Sequence, residues 1–113
     1  MSQSLKLLFI CSQNRIRSLT AEHILQGVPG YAVKSAGTEP RSRIRVNQGH
    51  IGWADVIFVM EKKHKRILEE NFTEALIGKQ LICLHLPDIY RYMEPALVDD
   101  LKAGLAQHIE VPD

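Results

Sequence analysis

Residues 5–18 read Leu5-Lys6-Leu7-Leu8-Phe9-Ile10-Cys11-Ser12-Gln13-Asn14-Arg15-Ile16-Arg17-Ser18. Residues 5–10 are apolar almost without interruption, the pattern of a strand buried on both faces of a parallel sheet. The run delivers Cys11 into a polar loop. Ser18 is placed to cap a helix running to about Gln26, with Leu19, Ile24 and Leu25 as its inner face. A cysteine at a strand's end, facing a helix N-terminus, sits where free backbone N–H groups and the helix dipole favour an anion. A thiol is readily held as thiolate in such a place.

Working outward, strand and helix patterns alternate. Tyr31–Ala36 reads as a second strand, closed by Gly37-Thr38-Glu39-Pro40. Residues 41–53 read as a loop followed by a short helix. Ala54–Met60 is a third, buried strand, Lys62 to about Asn71 a polar helix with Ile67 and Leu68 inward, and Gln80–Leu84 a fourth strand. From Pro95 to about His108, Leu97, Leu101, Leu105 and Ile109 recur every four residues on one helical face. The expected architecture is one three-layer α/β domain over residues 1–113. Its core is a four-stranded parallel sheet with helices on both faces and a phosphate-binding loop after the first strand. Ligands in such sheets bind at the strands' C-terminal ends, where Cys11, Gly37, Met60 and Asp88 all fall.

The 113 residues suffice for one core, and 45% hydrophobic with 24% charged residues is ordinary for a globular domain. A net charge of +1 gives no reason to expect nucleic acid or a membrane surface as partner. No apolar run approaches the ~20 residues of a membrane span, and Met1-Ser2-Gln3-Ser4 does not open a secretion signal. Two cysteines in separate strand-like segments do not form a disulfide framework, and a reactive thiol needs reducing surroundings, so a cytoplasmic location is expected. His23, His50, His64, His85 and His108 lack the close pairing of a zinc site; neither metal nor cofactor is expected.

Each residue type in the loop has a chemical use. Cys11 as thiolate can attack phosphorus, and Arg17 offers a planar fork for two phosphate oxygens and their growing charge. Ser18 can hydrogen-bond the sulfur, and Asn14 tolerates left-handed backbone angles that tie the loop together. Taken alone, Cys11 is as readily a buried strand cysteine. Asn14, Arg17 and Ser18 together turn the reading towards chemistry.

Cys11 to Ser18 resembles the signature loop of the low-molecular-weight protein tyrosine phosphatases, which runs Cys-x-Gly-Asn-x-Cys-Arg-Ser after a short apolar strand. Thr20-Ala21-Glu22, Ser35-Ala36-Gly37-Thr38, and Ala54–Met60 with His64 are similar to later segments of that family. Pro87-Asp88-Ile89-Tyr90 resembles the late loop that carries its general acid. The resemblance implies a phosphomonoesterase, a protein tyrosine phosphatase in particular, acting through a phosphocysteine. Cys11 is then the nucleophile, Arg17 the phosphate holder and Asp88 the acid and later the base. Ser12, Gln13, Asn14, Arg15, Ile16 and Ser18 form the substrate-binding loop, with Tyr90, and Tyr92 as a further candidate, at the mouth. The implied partner is a phosphotyrosine protein or a small aryl phosphate, with phosphate or vanadate-like oxyanions as inhibitors.

The loop departs from the family pattern at three positions. Gln13 stands where the family has glycine and must turn without its freedom. Ile16 replaces the second cysteine, and Arg15 reads either as an outward, solvated side chain or as a cation that attracts phosphate but crowds an aryl ring. Residues 38–54 are shorter than usual, which opens the site; Arg41, Arg43 and Arg45 there read as a solvated loop or as a basic rim. Cys83 and Trp53 read as core. An arsenate reductase on the same scaffold would pass a disulfide along further cysteines, and only Cys83 is available. The alternative to catalysis is a phosphate-, phosphoprotein- or nucleotide-binding module.

Overall fold

The computed structural model describes residues 4–112. The elements follow in the order β1 (Leu5–Cys11), α1 (Arg17–Leu25), β2 (Tyr31–Gly37), α2 (Gln48–Trp53), β3 (Val56–Val59), α3 (Lys62–Asn71), β4 (Gln80–Cys83) and α4 (Pro95–Leu105). All four strands are parallel in the order β2-β1-β3-β4, so β1 is central and pairs with β2 along its whole length. The chain leaves β1 to one side for β2 and returns to the other for β3. The C-terminal end of β1 is therefore a switch point, where such sheets open a crevice.

The continuous apolar run of β1 feeds two cores. Leu7, Phe9 and Cys11 pack with Ala21, Leu25, Phe58, Leu97, Leu101 and Leu105 on the α1/α4 side. Leu8 and Ile10 pack with Ile51, Ile57, Val59 and Leu68 on the α2/α3 side. The Phe9 and Phe58 rings stack across adjacent strands with centroids 5.6 Å apart. Alternate residues of one strand serving opposite layers is what an unbroken hydrophobic run requires.

Several expectations are corrected. Ser18 does not cap α1: the cap position is Ile16, without a side-chain cap bond, and Ser18 lies inside the first turn with its hydroxyl committed to the loop. The buried face of α1 is Thr20, Ala21 and Leu25, while Leu19 and Ile24 are half-buried, because Arg17 and Ser18 rotate the helix towards the loop. Cys83 is half-buried rather than core, since β4 is an edge strand; it packs on the layer opposite to Cys11. That placement leaves the arsenate-reductase reading without its partner thiol. The α4 helix stops at Leu105, and residues 106–108 tighten into a turn. Trp53 is half-buried, with Lys34 Nζ 4.6 Å over its ring. Among the described residues no helix is long and apolar enough to cross a membrane.

Candidate active site

The loop between β1 and α1 closes over the strand ends around a cavity of about 150 Å³ lined by Cys11, Ser12, Gln13, Arg15, Ile16, Arg17, Glu39, Lys63 and Asp88. Residues from the ends of β1 and β2, the start of α3 and the segment after β4 meet here, as the switch point predicts. The backbone N–H groups of Ser12 through Arg17 donate to no protein acceptor among the described residues. Five of these six residues line the cavity, and their free donors offer a cradle for an anion.

Beneath the loop, Asn14 takes φ +57°, the left-handed conformation its short amide tolerates. Gln13 does not have a positive φ. The left-handed turn is made at Asn14, and a side chain at 13 is therefore accommodated. Asn14 Nδ2 donates to Ser18 Oγ at 2.7 Å, which leaves the Ser18 proton for Cys11 Sγ at 3.0 Å. Asn14 and Ser18 are fully buried and lie behind the loop rather than in the cavity wall. Their place in the expected substrate-binding set is thus corrected to support of the loop and of the sulfur.

Arg17 is almost wholly buried. A cation in the first turn of a helix opposes the helix dipole and needs a partner. Glu61 Oε2 accepts from Nη1 at 2.6 Å and the Leu86 carbonyl from the same nitrogen at 2.7 Å. Both Nη1 protons are thereby used, and the Nε/Nη2 edge of the fork remains for a ligand. Asp88 Oδ1 stands 3.8 Å from Nε, with its side chain largely exposed at the cavity's mouth. Partial burial pushes the Glu61 carboxyl up, but the hydrogen bond and charge of Arg17, with Lys63 and His64 beyond, outweigh it and hold Glu61 below the ordinary carboxylate value.

His64, fully buried, supports the loop from the other side. Its Nδ1 accepts from the Glu61 N–H at 3.0 Å, so the ring proton sits on Nε2 and is donated to Ser12 Oγ at 2.9 Å. Burial first, then the Arg17 charge, lower its pKa from 6.5 to about 4. The ring is neutral at neutral pH.

The segment after β2 straps the loop down. Thr38 N donates to the Cys11 carbonyl at 3.0 Å and Glu39 N to that of Ser12 at 3.0 Å. Arg43 donates its backbone N–H to the Gln13 carbonyl at 3.0 Å and its Nε to that of Asn14 at 3.2 Å. Arg43 is thus a brace rather than part of a solvated loop, and Arg45 forms a bridge with Gly37. Gly37 admits no side chain, since a Cβ there would lie 2.7 Å from the Ser12 carbonyl oxygen.

Tyr90 and Tyr92 do not line the cavity. The Tyr90 hydroxyl donates to Asp100 on α4 at 2.6 Å, which raises its pKa, and Tyr92 bonds His23. Both expected aromatic contacts are drawn away by these partners. Glu39, Glu61 and Lys63 were not anticipated. The signal was present: Glu39 follows β2 and Glu61 follows β3, the two strand ends beside Cys11. Among the described residues no group of metal-binding side chains occurs.

No protein-family model and no curated protein matches the chain. Solved structures do. The low molecular weight protein tyrosine phosphatase SP-PTP from Streptococcus pyogenes superposes with TM-score 0.73 at 13% identity, over 94% of each chain. The fold is that of the low-molecular-weight phosphatases. The tyrosine phosphatase Wzb from Escherichia coli K30, in complex with phosphate, shares this fold at TM-score 0.73 and 20% identity, over 93% of this chain and 96% of that one. So does the YwlE arginine phosphatase from Geobacillus stearothermophilus, at TM-score 0.69 and 22% identity, over 96% and 99%. That fold is the one the sequence resemblance implied, and in this chain Cys11, Arg17 and Asp88 line one cavity of it.

Proposed function

We propose that the chain is a phosphomonoesterase that works through a phosphocysteine on Cys11. The observation that carries this reading is the arginine: Nη1 is pinned by Glu61 and Leu86, while its opposite edge is left for the cavity that Cys11 lines together with the loop and its unpaired backbone N–H groups. An arrangement that uses a half-buried carboxylate to orient a buried cation suits a charge that develops during reaction. A bare binding site has no need of a thiol at its centre.

In the first step the Cys11 sulfur attacks phosphorus, the bond to the leaving oxygen breaks, and Asp88 gives its proton to that oxygen. In the second, water attacks phosphorus, Asp88 takes the water's proton, and the sulfur–phosphorus bond breaks to release phosphate. The three equatorial oxygens meet the loop N–H groups and the Arg17 edge, and the Ser18 hydroxyl stabilises the leaving sulfur. Phosphotyrosine proteins and small aryl phosphates are the substrates that the likeness to tyrosine phosphatases suggests, with phosphate and vanadate as competing oxyanions. A thiol nucleophile suits the reducing cytoplasm.

Steady-state hydrolysis of p-nitrophenyl phosphate near pH 5–6, wild type beside Cys11→Ser, tests the assignment. Turnover that disappears in the variant, with phosphate binding kept, is expected. A wild type that binds phosphate but turns nothing over would leave a binding module instead.

A further inference from the structure

Arg15 is not needed for the phosphoryl group that the proposed function places over Cys11. That group has the free backbone donors of the loop and the Arg17 edge already. Arg15 stands exposed in the cavity wall and makes no ion pair with any described residue. The other two cations of the wall are engaged: Arg17 is bound to Glu61, and Lys63 Nζ lies 3.9 Å from the same carboxylate. Among the described residues Arg15 is thus the one cavity cation without a carboxylate within reach. A free guanidinium at a rim recognises a planar or tetrahedral anion through two parallel hydrogen bonds.

The rest of the wall says what the leaving group is not held by. The cavity of about 150 Å³ is well below the ~300–1,000 Å³ of sites that enclose a whole ligand, so everything beyond the phosphoryl group lies at the mouth. No aromatic side chain lines it; Tyr90 and Tyr92 are tied to Asp100 and His23. Besides Cys11, only Ile16 offers apolar surface there. Recognition outside the phosphoryl group is therefore electrostatic. Glu39 and Asp88 put negative charge on the same wall, and Arg15 is the unpaired cation there that can offset the charge of an anionic substituent.

We propose that Arg15 determines specificity for phosphomonoesters whose leaving group carries a second anionic group, a carboxylate or a further phosphate, next to the scissile ester. This rests on the phosphatase reading of the same site.

The test compares kcat/KM for phenyl phosphate, 3-carboxyphenyl phosphate and resorcinol bisphosphate, whose leaving groups are of similar acidity. The wild type is expected to favour at least one anionic substrate by about tenfold, the effect of one good hydrogen-bonded contact to a charge. Which of the two it favours tells carboxylate from phosphate. Raised salt should shrink the preference. Arg15→Gln should bring the ratio near one, and Arg15→Lys should restore part of it. A wild type that hydrolyses all three with equal kcat/KM, or an Arg15→Gln variant that keeps the wild-type ratio, overturns the inference and leaves the phosphatase reading standing. A wild type silent towards all three overturns the phosphatase reading itself.

Discussion

His64 makes a quantitative prediction about pH. The ring is fully buried, with both nitrogens committed in one tautomer: Nδ1 accepts from Glu61 N–H and Nε2 donates to Ser12. A second ring proton has no acceptor to meet and adds a charge beside Arg17, so the folded pKa falls from 6.5 to about 4. The folded state thus refuses a proton that the unfolded chain accepts below pH 6.5. Stability from this residue is complete above pH 6.5, declines as the pH falls towards about 4, and is constant below that. A gap of about 2.5 pH units at 1.36 kcal/mol each amounts to about 3 kcal/mol in all, of which about 2 kcal/mol is gone by pH 5. The assay is urea unfolding of wild type and His64→Gln from pH 4 to 8. Glutamine keeps an acceptor that can reach the Glu61 N–H and does not titrate. Carboxylates that do not face His64 act alike in both proteins, and Glu61, held below the ordinary carboxylate value, stays ionised from pH 5 upward, so over that interval the difference between the two curves isolates His64. The wild type should lose about 2 kcal/mol more than the variant between pH 7.5 and pH 5. A difference that stays flat across that interval would refute the assignment of a neutral, doubly bonded imidazole.

Two further outcomes concern the chemistry. Asp88→Asn should lower kcat for phenyl phosphate by the ~10²–10⁴-fold typical of a lost general acid, and less for p-nitrophenyl phosphate, whose leaving group needs protonation less. Equal losses on both substrates would remove Asp88 from that role. Glu61→Gln replaces the carboxylate that accepts from Arg17 Nη1 by a neutral amide oxygen and leaves the Leu86 carbonyl in place. A fall in kcat/KM of about 10–100-fold is expected, from the cost of weakening a charged hydrogen bond; wild-type kcat/KM in this variant would show that Arg17 orients itself.

How far the sequence could be read depended on how local the signal was. The unbroken run of β1, the fourfold spacing of α4 and the alternation of strand and helix each follow from periodicity, and all three stand in the structure. So does the meeting of Cys11, Arg17 and Asp88, because strand ends converge wherever the sheet changes direction. What escaped was set by tertiary contacts. Ser18 has the chemistry of a helix cap, yet Asn14 and Cys11 claim its hydroxyl. Cys83 has an apolar sequence neighbourhood, but strand order puts β4 at the edge. Tyr90 lies two residues from Asp88 and still turns to Asp100, ten residues ahead. Arg43 looks like a surface charge until the Asn14 carbonyl is seen beneath it. Pairings between residues distant in sequence leave no periodic trace, and these are the ones that shape the loop.

The central claim is a covalent bond between Cys11 and phosphorus. Acid quenching of the protein during turnover of p-nitrophenyl phosphate, followed by mass spectrometry of the peptide that contains Cys11, tests it most directly. One added phosphoryl group on that peptide is expected, with more of it in Asp88→Asn, where the base that activates water is missing. Sustained turnover with no phosphoryl group on Cys11 in either protein would contradict it.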